Sequence, residues 1–236
     1  MNAAELYKAG RLEEAITALG DAVRSDPTDT QRRTFLFELL CFAGHLDRAE
    51  KQLDALSRSG KEAEMGALLY RSALHAERLR RDVFGPNGMP PSTTQPRPVS
   101  GTLNGQPFSS LEDADPRIGA RLEIFAAGQY TWLPLEHVAS VRMEPPRRLR
   151  DLLWSPALVQ TGPLFQGLEL GEVLLPILTP NAYQHEETDI KLGRVTEWFA
   201  VENGTEVPAG MKLLRVDGEE FPILELRELV IEGPGS

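Results

Sequence analysis

Apolar residues in the first 83 positions recur at helical spacing, and the rhythm changes abruptly after residue 100. The periodicity predicts helices at about 2–9, 12–25, 29–43, 46–58 and 61–83. The third contains Thr34-Phe35-Leu36-Phe37-Glu38-Leu39-Leu40-Cys41-Phe42, apolar around most of its circumference, and such a helix is buried on two sides. Beyond residue 100 the pattern shortens. Leu122-Glu123-Ile124-Phe125 alternates, Gly128-Gln129 turns, and Tyr130-Thr131-Trp132-Leu133 returns as the second arm of a hairpin. Further strands are expected at Val138–Met143, Glu172–Leu178, Val195–Val201, Lys212–Val216 and Phe221–Leu226. Turns are expected at Asp217-Gly218 and Val207-Pro208-Ala209-Gly210, and helical pieces near Ser110–Asp113 and Leu135–Val138.

A repeat organises the helical part. Ala9-Gly10-Arg11-Leu12-Glu13-Glu14-Ala15 returns as Ala43-Gly44-His45-Leu46-Asp47-Arg48-Ala49, 34 residues later. Leu19 and Ala22 find counterparts in Leu53 and Leu56. A 34-residue helix–turn–helix period is the tetratricopeptide signature. Glycine suits the turn between helices, alanine lets neighbouring helices approach, and leucine one turn later fills the seam. Asp26-Pro27 closes the first repeat, since the residue before proline is pushed out of helical geometry; Ser59-Gly60 closes the second. The span Gly85 to Pro98 holds five prolines and reads as an extended connector. The expected architecture is therefore α+β. A tetratricopeptide (TPR)-like helical domain (1–84) is followed by a Pro-rich linker (85–99), then by a mixed, strand-rich domain (100–236) built as a curved sheet or partial barrel.

Charge narrows the choice of partner. The formal net charge is −10, and the excess is uneven: residues 1–84 carry 13 basic against 14 acidic side chains, the remainder 12 against 21. An acidic second half argues against nucleic acid and against anionic lipid, both of which need a basic footprint. No apolar stretch approaches the length of a membrane span, and the chain has no apolar leader, so a soluble cytoplasmic protein is expected. The single cysteine, Cys41, excludes an internal disulfide and sits among apolar neighbours as a small buried hydrophobe.

Candidate chemistry is sparse. His185-Glu186-Glu187-Thr188-Asp189 resembles a zinc-protease helix only in part, because the second histidine four residues on is missing; an exposed acidic loop is the plainer reading. His45, His75, His137 and His185 are dispersed, no metal or cofactor is expected, and no nucleophile elbow or phosphate loop occurs. Asp113 and Asp115, just before Pro116, suit either a turn or a paired-carboxylate site. In the second case a small-ligand or hydrolase pocket would lie between the domains, with Asp113, Asp115, Arg117 and Arg194 converging. Arg78, Arg80 and Arg81 complement the dipole at the end of the fifth helix. Arg150-Asp151 and Arg227-Glu228 are expected ion pairs, and Trp132, Trp154 and Trp198 are expected in the core or at a domain interface.

Several motifs carry a family resemblance. They are Leu69-Tyr70-Arg71, Ala76-Glu77-Arg78-Leu79-Arg80, Gly105-Gln106-Pro107-Phe108 and Asp113-Ala114-Asp115-Pro116-Arg117-Ile118-Gly119. Gly128-Gln129-Tyr130-Thr131-Trp132-Leu133-Pro134, Arg150-Asp151-Leu152-Leu153-Trp154, Leu192-Gly193-Arg194-Val195-Thr196-Glu197-Trp198 and Leu224-Glu225-Leu226-Arg227-Glu228-Leu229 continue the order. With the repeat, they resemble the ImpE-like (SciE-type, TagJ) accessory proteins of bacterial type VI secretion systems over nearly the whole chain. Leu226 departs from a usual aromatic, and Thr179-Pro180-Asn181 from a Tyr-Pro-Gly-like turn. The resemblance implies a non-enzymatic adaptor that binds the N-terminal segment of the small contractile-sheath subunit. Two repeats are too few for a long groove, so the partner site is expected near the domain junction, with Tyr7, Phe37, Tyr130 and Trp132 as aromatic anchors.

Overall fold

Asn2 opens the first helix with a capping box: its side chain accepts from the Glu5 amide, and the Glu5 carboxylate accepts from the Asn2 amide. From there the computed structural model, which describes residues 1–85, 97–162, 169–201 and 204–232, runs through five helices. They are α1 (Ala3–Lys8), α2 (Leu12–Ser25), α3 (Thr30–Phe42), α4 (Leu46–Leu56) and α5 (Lys61–Val83). The repeat is visible in individual hydrogen bonds. Gly10 N donates to Tyr7 O and Arg11 N to Leu6 O; 34 residues on, Gly44 N donates to Cys41 O and His45 N to Leu40 O. Both turns need a left-handed residue, and Gly10 (φ 72°) and Gly44 (φ 78°) supply it. Ala15 and Ala49 have no exposed surface, and Leu19 and Leu53 are buried beside them.

The rest of the described chain is mostly antiparallel sheet, with a one-turn helix at Thr188–Lys191 and short 3-10 turns between strands. Its main sheet has the order β2-β1-β13-β6-β7-β8-β4-β5 and does not close into a barrel. In chain order these strands are β1 (Gly101–Leu103), β2 (Gln106–Phe108), β4 (Arg121–Ala126), β5 (Gln129–Pro134), β6 (Val138–Met143), β7 (Trp154–Thr161), β8 (Glu169–Pro176) and β13 (Glu228–Ile231). A three-stranded sheet joins β3 (Leu111–Asp113), β11 (Leu213–Val216) and β12 (Glu219–Pro222), and a ribbon pairs β9 (Glu197–Ala200) with β10 (Glu206–Ala209). The β4–β5 hairpin turns on Ala127 and Gly128, both at positive φ, as a two-residue hairpin requires.

Two cores divide the sheet between its faces. Val141, Val159, Leu175, Ile177 and Leu229 fill one, together with Leu111, Leu214 and Ile223 of the three-stranded layer. The other is the helical core, which crosses the sequence boundary to take in Phe125, Leu153, Trp154, Leu174 and Leu178. Most of the proline-rich connector lies outside the described residues.

Several expectations are corrected. Ser110–Asp113 is not helical: Leu111–Asp113 pairs with Leu214–Val216, a tertiary contact that local pattern does not encode. Val207–Ala209 is strand rather than turn, paired with Trp198 and Phe199 through the register Val207↔Phe199. The turn comes at Gly210, where an added Cβ would lie 2.1 Å from Val195 O. Strand β12 ends at Pro222 and a 3-10 turn (Ile223–Glu225) follows. The neighbouring charges at 150–151 and 227–228 do not pair with each other. Arg150 reaches Glu38 at 3.6 Å and Asp151 accepts the Arg147 and Arg148 amides, while Arg227 donates to backbone carbonyls and Glu228 holds Arg142. Adjacent residues point different ways, so sequence neighbours make poor side-chain partners. Asn181 takes the left-handed position (φ 65°) in Thr179-Pro180-Asn181, which asparagine tolerates.

Candidate functional site at the helix–sheet junction

Helix α5 seats on the sheet through small residues. Ala73 and Ala76 are fully buried and bring its axis close, and one turn further Arg80 enters the interface, 3 % exposed. Its guanidinium forms a fork with Glu123 of β4 (2.8 and 2.9 Å) and donates to Leu178 O at 2.9 Å. Lys212 binds the same Glu123 carboxylate and reaches Asp113 at 2.6 Å. Tyr130 donates its hydroxyl to Glu123 at 2.5 Å, and Trp132 Nε1 donates to the Tyr130 oxygen. The junction thus holds two cations and two carboxylates, each paired, which is the condition for burying charge at all. Burial alone would raise the Glu123 carboxyl, but Arg80 and Lys212 outweigh it and hold it at about 2. Burial pushes Asp113 up to about 6 against the pull of Lys212. Burial and the adjacent Glu123 raise Tyr130 well above the usual phenol range.

Aromatic rings close the outer end. Phe84 packs on Trp132 with centroids 5.8 Å apart, Arg117 lies over Phe84, and Arg117 is held by the buried Asp115 at 2.6 Å. A second contact embraces the repeat turns. Tyr183 covers Gly44 so closely that a Cβ there would stand 2.3 Å from its ring, and Arg81 stacks 3.6 Å from the Tyr183 centroid while donating to Gly44 O. At the other turn Arg194 donates to Tyr7 O at 2.8 Å, pairs with Asp189 and lies over the Tyr7 ring. Third, Arg150 stacks over Tyr70, which packs on Phe37, and meets the buried Glu38.

The four expected anchors are spread over these three contacts. Tyr130 and Trp132 sit together beside the buried charges. Tyr7 is half-buried between Phe35 and Arg194, and Phe37 is 1 % exposed, in the helical core. The alternative small-molecule quartet does not assemble. Asp113 is tied to Lys212 and the Asp115 amide, Asp115 to Arg117, and Arg194 to the first repeat turn. Among the described residues, no cluster of His, Cys, Asp or Glu could hold a metal ion, and no helix is long and apolar enough to cross a membrane. Burial raises the Cys41 thiol well above its ordinary value, as suits a hydrophobe. The sequence reading missed Arg80, Glu123 and Lys212. Glu123 alternates with apolar neighbours and so looks solvent-facing; only the helix laid over that face buries it.

Residues 105–230 match the family model of the ImpE protein, and residues 6–71 match a tetratricopeptide-repeat model. The chain belongs to the ImpE family. A curated relative, the type VI secretion system accessory component TagJ of Pseudomonas aeruginosa, is 33 % identical, the alignment covering 98 % of this chain and 92 % of that protein. The crystal structure of protein VPA1032 from Vibrio parahaemolyticus shares the fold, with a TM-score of 0.85 at 22 % identity over 98 % of this chain and 97 % of the other. Within the ImpE framework, Tyr7 and Phe37 lie in the repeat match and Tyr130 and Trp132 in the ImpE match, whereas Arg80 falls between the two.

Proposed function

We propose that this ImpE-family chain is a non-catalytic accessory factor of a bacterial type VI secretion system, acting in the cytoplasm as an adaptor for another protein. The observation that carries the reading is its 33 % identity, over nearly its whole length, to an accessory component of that system. The partner is the N-terminal segment of the small contractile-sheath subunit, with neither nucleic acid nor membrane involved. Capture falls at the helix–sheet junction, where Tyr7 and the Tyr130–Trp132 pair keep part of their surface, while Phe37 lies in the helical core against Tyr70. The reading takes the chain as two domains, 1–84 and 100–236, and clefts between domains are common binding places.

The test is a titration of the isolated sheath-subunit segment against the full chain and against Trp132→Ala and Tyr7→Ala. Each substitution should weaken binding by about 1–2 kcal/mol while the protein stays folded. No binding by the unaltered chain would remove the partner, and folded variants with unchanged affinity would remove the site.

A further inference from the structure

The two repeat turns, at Gly10 and Gly44, are both held by one short stretch from the other half of the chain. After β8 that stretch makes a 3-10 turn at Ala182–Gln184 and a one-turn helix at Thr188–Lys191, then returns to where it began. Leu178 bridges Met211, and Thr196 Oγ1 donates to Met211 O at 2.9 Å, so both feet of the loop stand on one residue. Between its feet the loop serves the helices: Leu178, Ala182 and Leu192 join the helical core, not the sheet core. Tyr183 covers Gly44, while Asp189 Oδ1 and Arg194 Nη1 lie 3.5 and 3.9 Å from where a Cβ of Gly10 would stand. Gly193 aims Arg194. It is left-handed (φ 64°), and a side chain there would run into Leu178.

Helix α1 gains most from this hold. It is six residues long with Leu6 its one buried residue, and helices that short are marginal in water by themselves. Its own capping box closes the N-terminus, whereas the carbonyls at its other end are met by Arg194. That guanidinium donates to Tyr7 O at 2.8 Å and to Lys8 O at 3.4 Å, as cations do at helix C-termini, and Asp189 steadies it at 3.0 Å. Repeat arrays need such closure, because a terminal repeat lacks a neighbour on one side. We infer that residues 178–194 are a strap that caps the repeat array from outside it, Tyr183 locking the second turn and Arg194 closing α1. The strap is a conformational device. Releasing Arg194 frees α1, and with it the Tyr7 ring over which Arg194 lies, without disturbing the sheet. Its action does not depend on which partner the protein captures.

Hydrogen exchange of the full chain, read amide by amide, tests this. The amides of Ala9, Gly10 and Arg11 close the first turn, and those of Gly44 and His45 the second. Arg194→Ala should speed exchange at the first turn by about tenfold or more and leave the second within about twofold. Tyr183→Ala should do the reverse. Arg142→Ala, which breaks an exposed pair between β6 and β13, should change neither turn. An Arg194→Ala protein that exchanges like the unaltered chain at residues 9–11 overturns the cap on α1. A Tyr183→Ala protein whose second turn is unchanged overturns the hold on Gly44. A rise of equal size at both turns and in β6 and β7 is a loss of global stability, and it overturns a strap acting at two separate points.

Discussion

Within the repeats, helices meet mainly through buried apolar side chains such as Ala15, Leu19, Phe37, Ala49 and Leu53, whereas the seam between α5 and the sheet is held by Arg80, Glu123, Lys212 and Asp113, all nearly without exposed surface. The first kind of contact is non-directional and tolerates small shifts. The second is geometric: each charge has been taken out of water and depends on a partner at hydrogen-bond distance. The repeat can therefore be disturbed by volume, and the seam by removal of a single charge.

The sharpest way to break this contrast is Glu123→Ala, which leaves Arg80 and Lys212 buried without their shared carboxylate. It should cost about 3–5 kcal/mol in urea unfolding. A loss no larger than that of an exposed pair would show that the seam is not held by charge. Gly44→Ala comes next. Left-handed backbone should cost about 1–2 kcal/mol at either Gly10 or Gly44, and the clash with Tyr183 should add about 1–3 kcal/mol at Gly44 only. Equal losses at the two turns would mean that the Tyr183 contact yields freely.

Ala49→Leu should overpack the repeat seam by about 1–3 kcal/mol, read as a lowered melting temperature; a neutral result would put the repeat alignment in error. The smallest effect expected is from pH. Asp113 has a folded-state pKa of about 6, above its unfolded value, so folding takes up a proton between the two. Stability from this group rises as pH falls from 7 toward 5, and that rise should be smaller in Asp113→Asn. Glu123 works oppositely: its contribution is present above its unfolded pKa and is lost only as pH falls toward about 2. An identical urea midpoint difference between pH 7 and pH 5 in both proteins would mean that Asp113 does not titrate there.

Legibility along the chain follows the range of the contacts. The five helices lie within a few residues of the expected bounds, because their caps, glycines and apolar period are local. The β4–β5 hairpin was equally readable from its turn. Strand β7 is not among the expected strands, although Ser155–Thr161 alternates strictly between buried and exposed, since Pro156 interrupts the pattern. Strands β1 and β13 are three and four residues long and owe their existence to pairing between chain positions more than a hundred residues apart. The same holds for the candidate site. Tyr130 and Trp132 could be placed together from one hairpin, but Phe37 entered the core because helices close over it on two sides.

By itself, the sequence determined the helical repeat, its turns, the change of rhythm after residue 100 and the motif order by which the family is recognised. All of these rest on residues close together in the chain or on their serial order. Only the tertiary structure decided which charges are buried. Whether Arg80, Glu123 and Lys212 face water or one another depends on α5 lying over the β4 face, and period-two alternation reads the same whether that face is wet or covered.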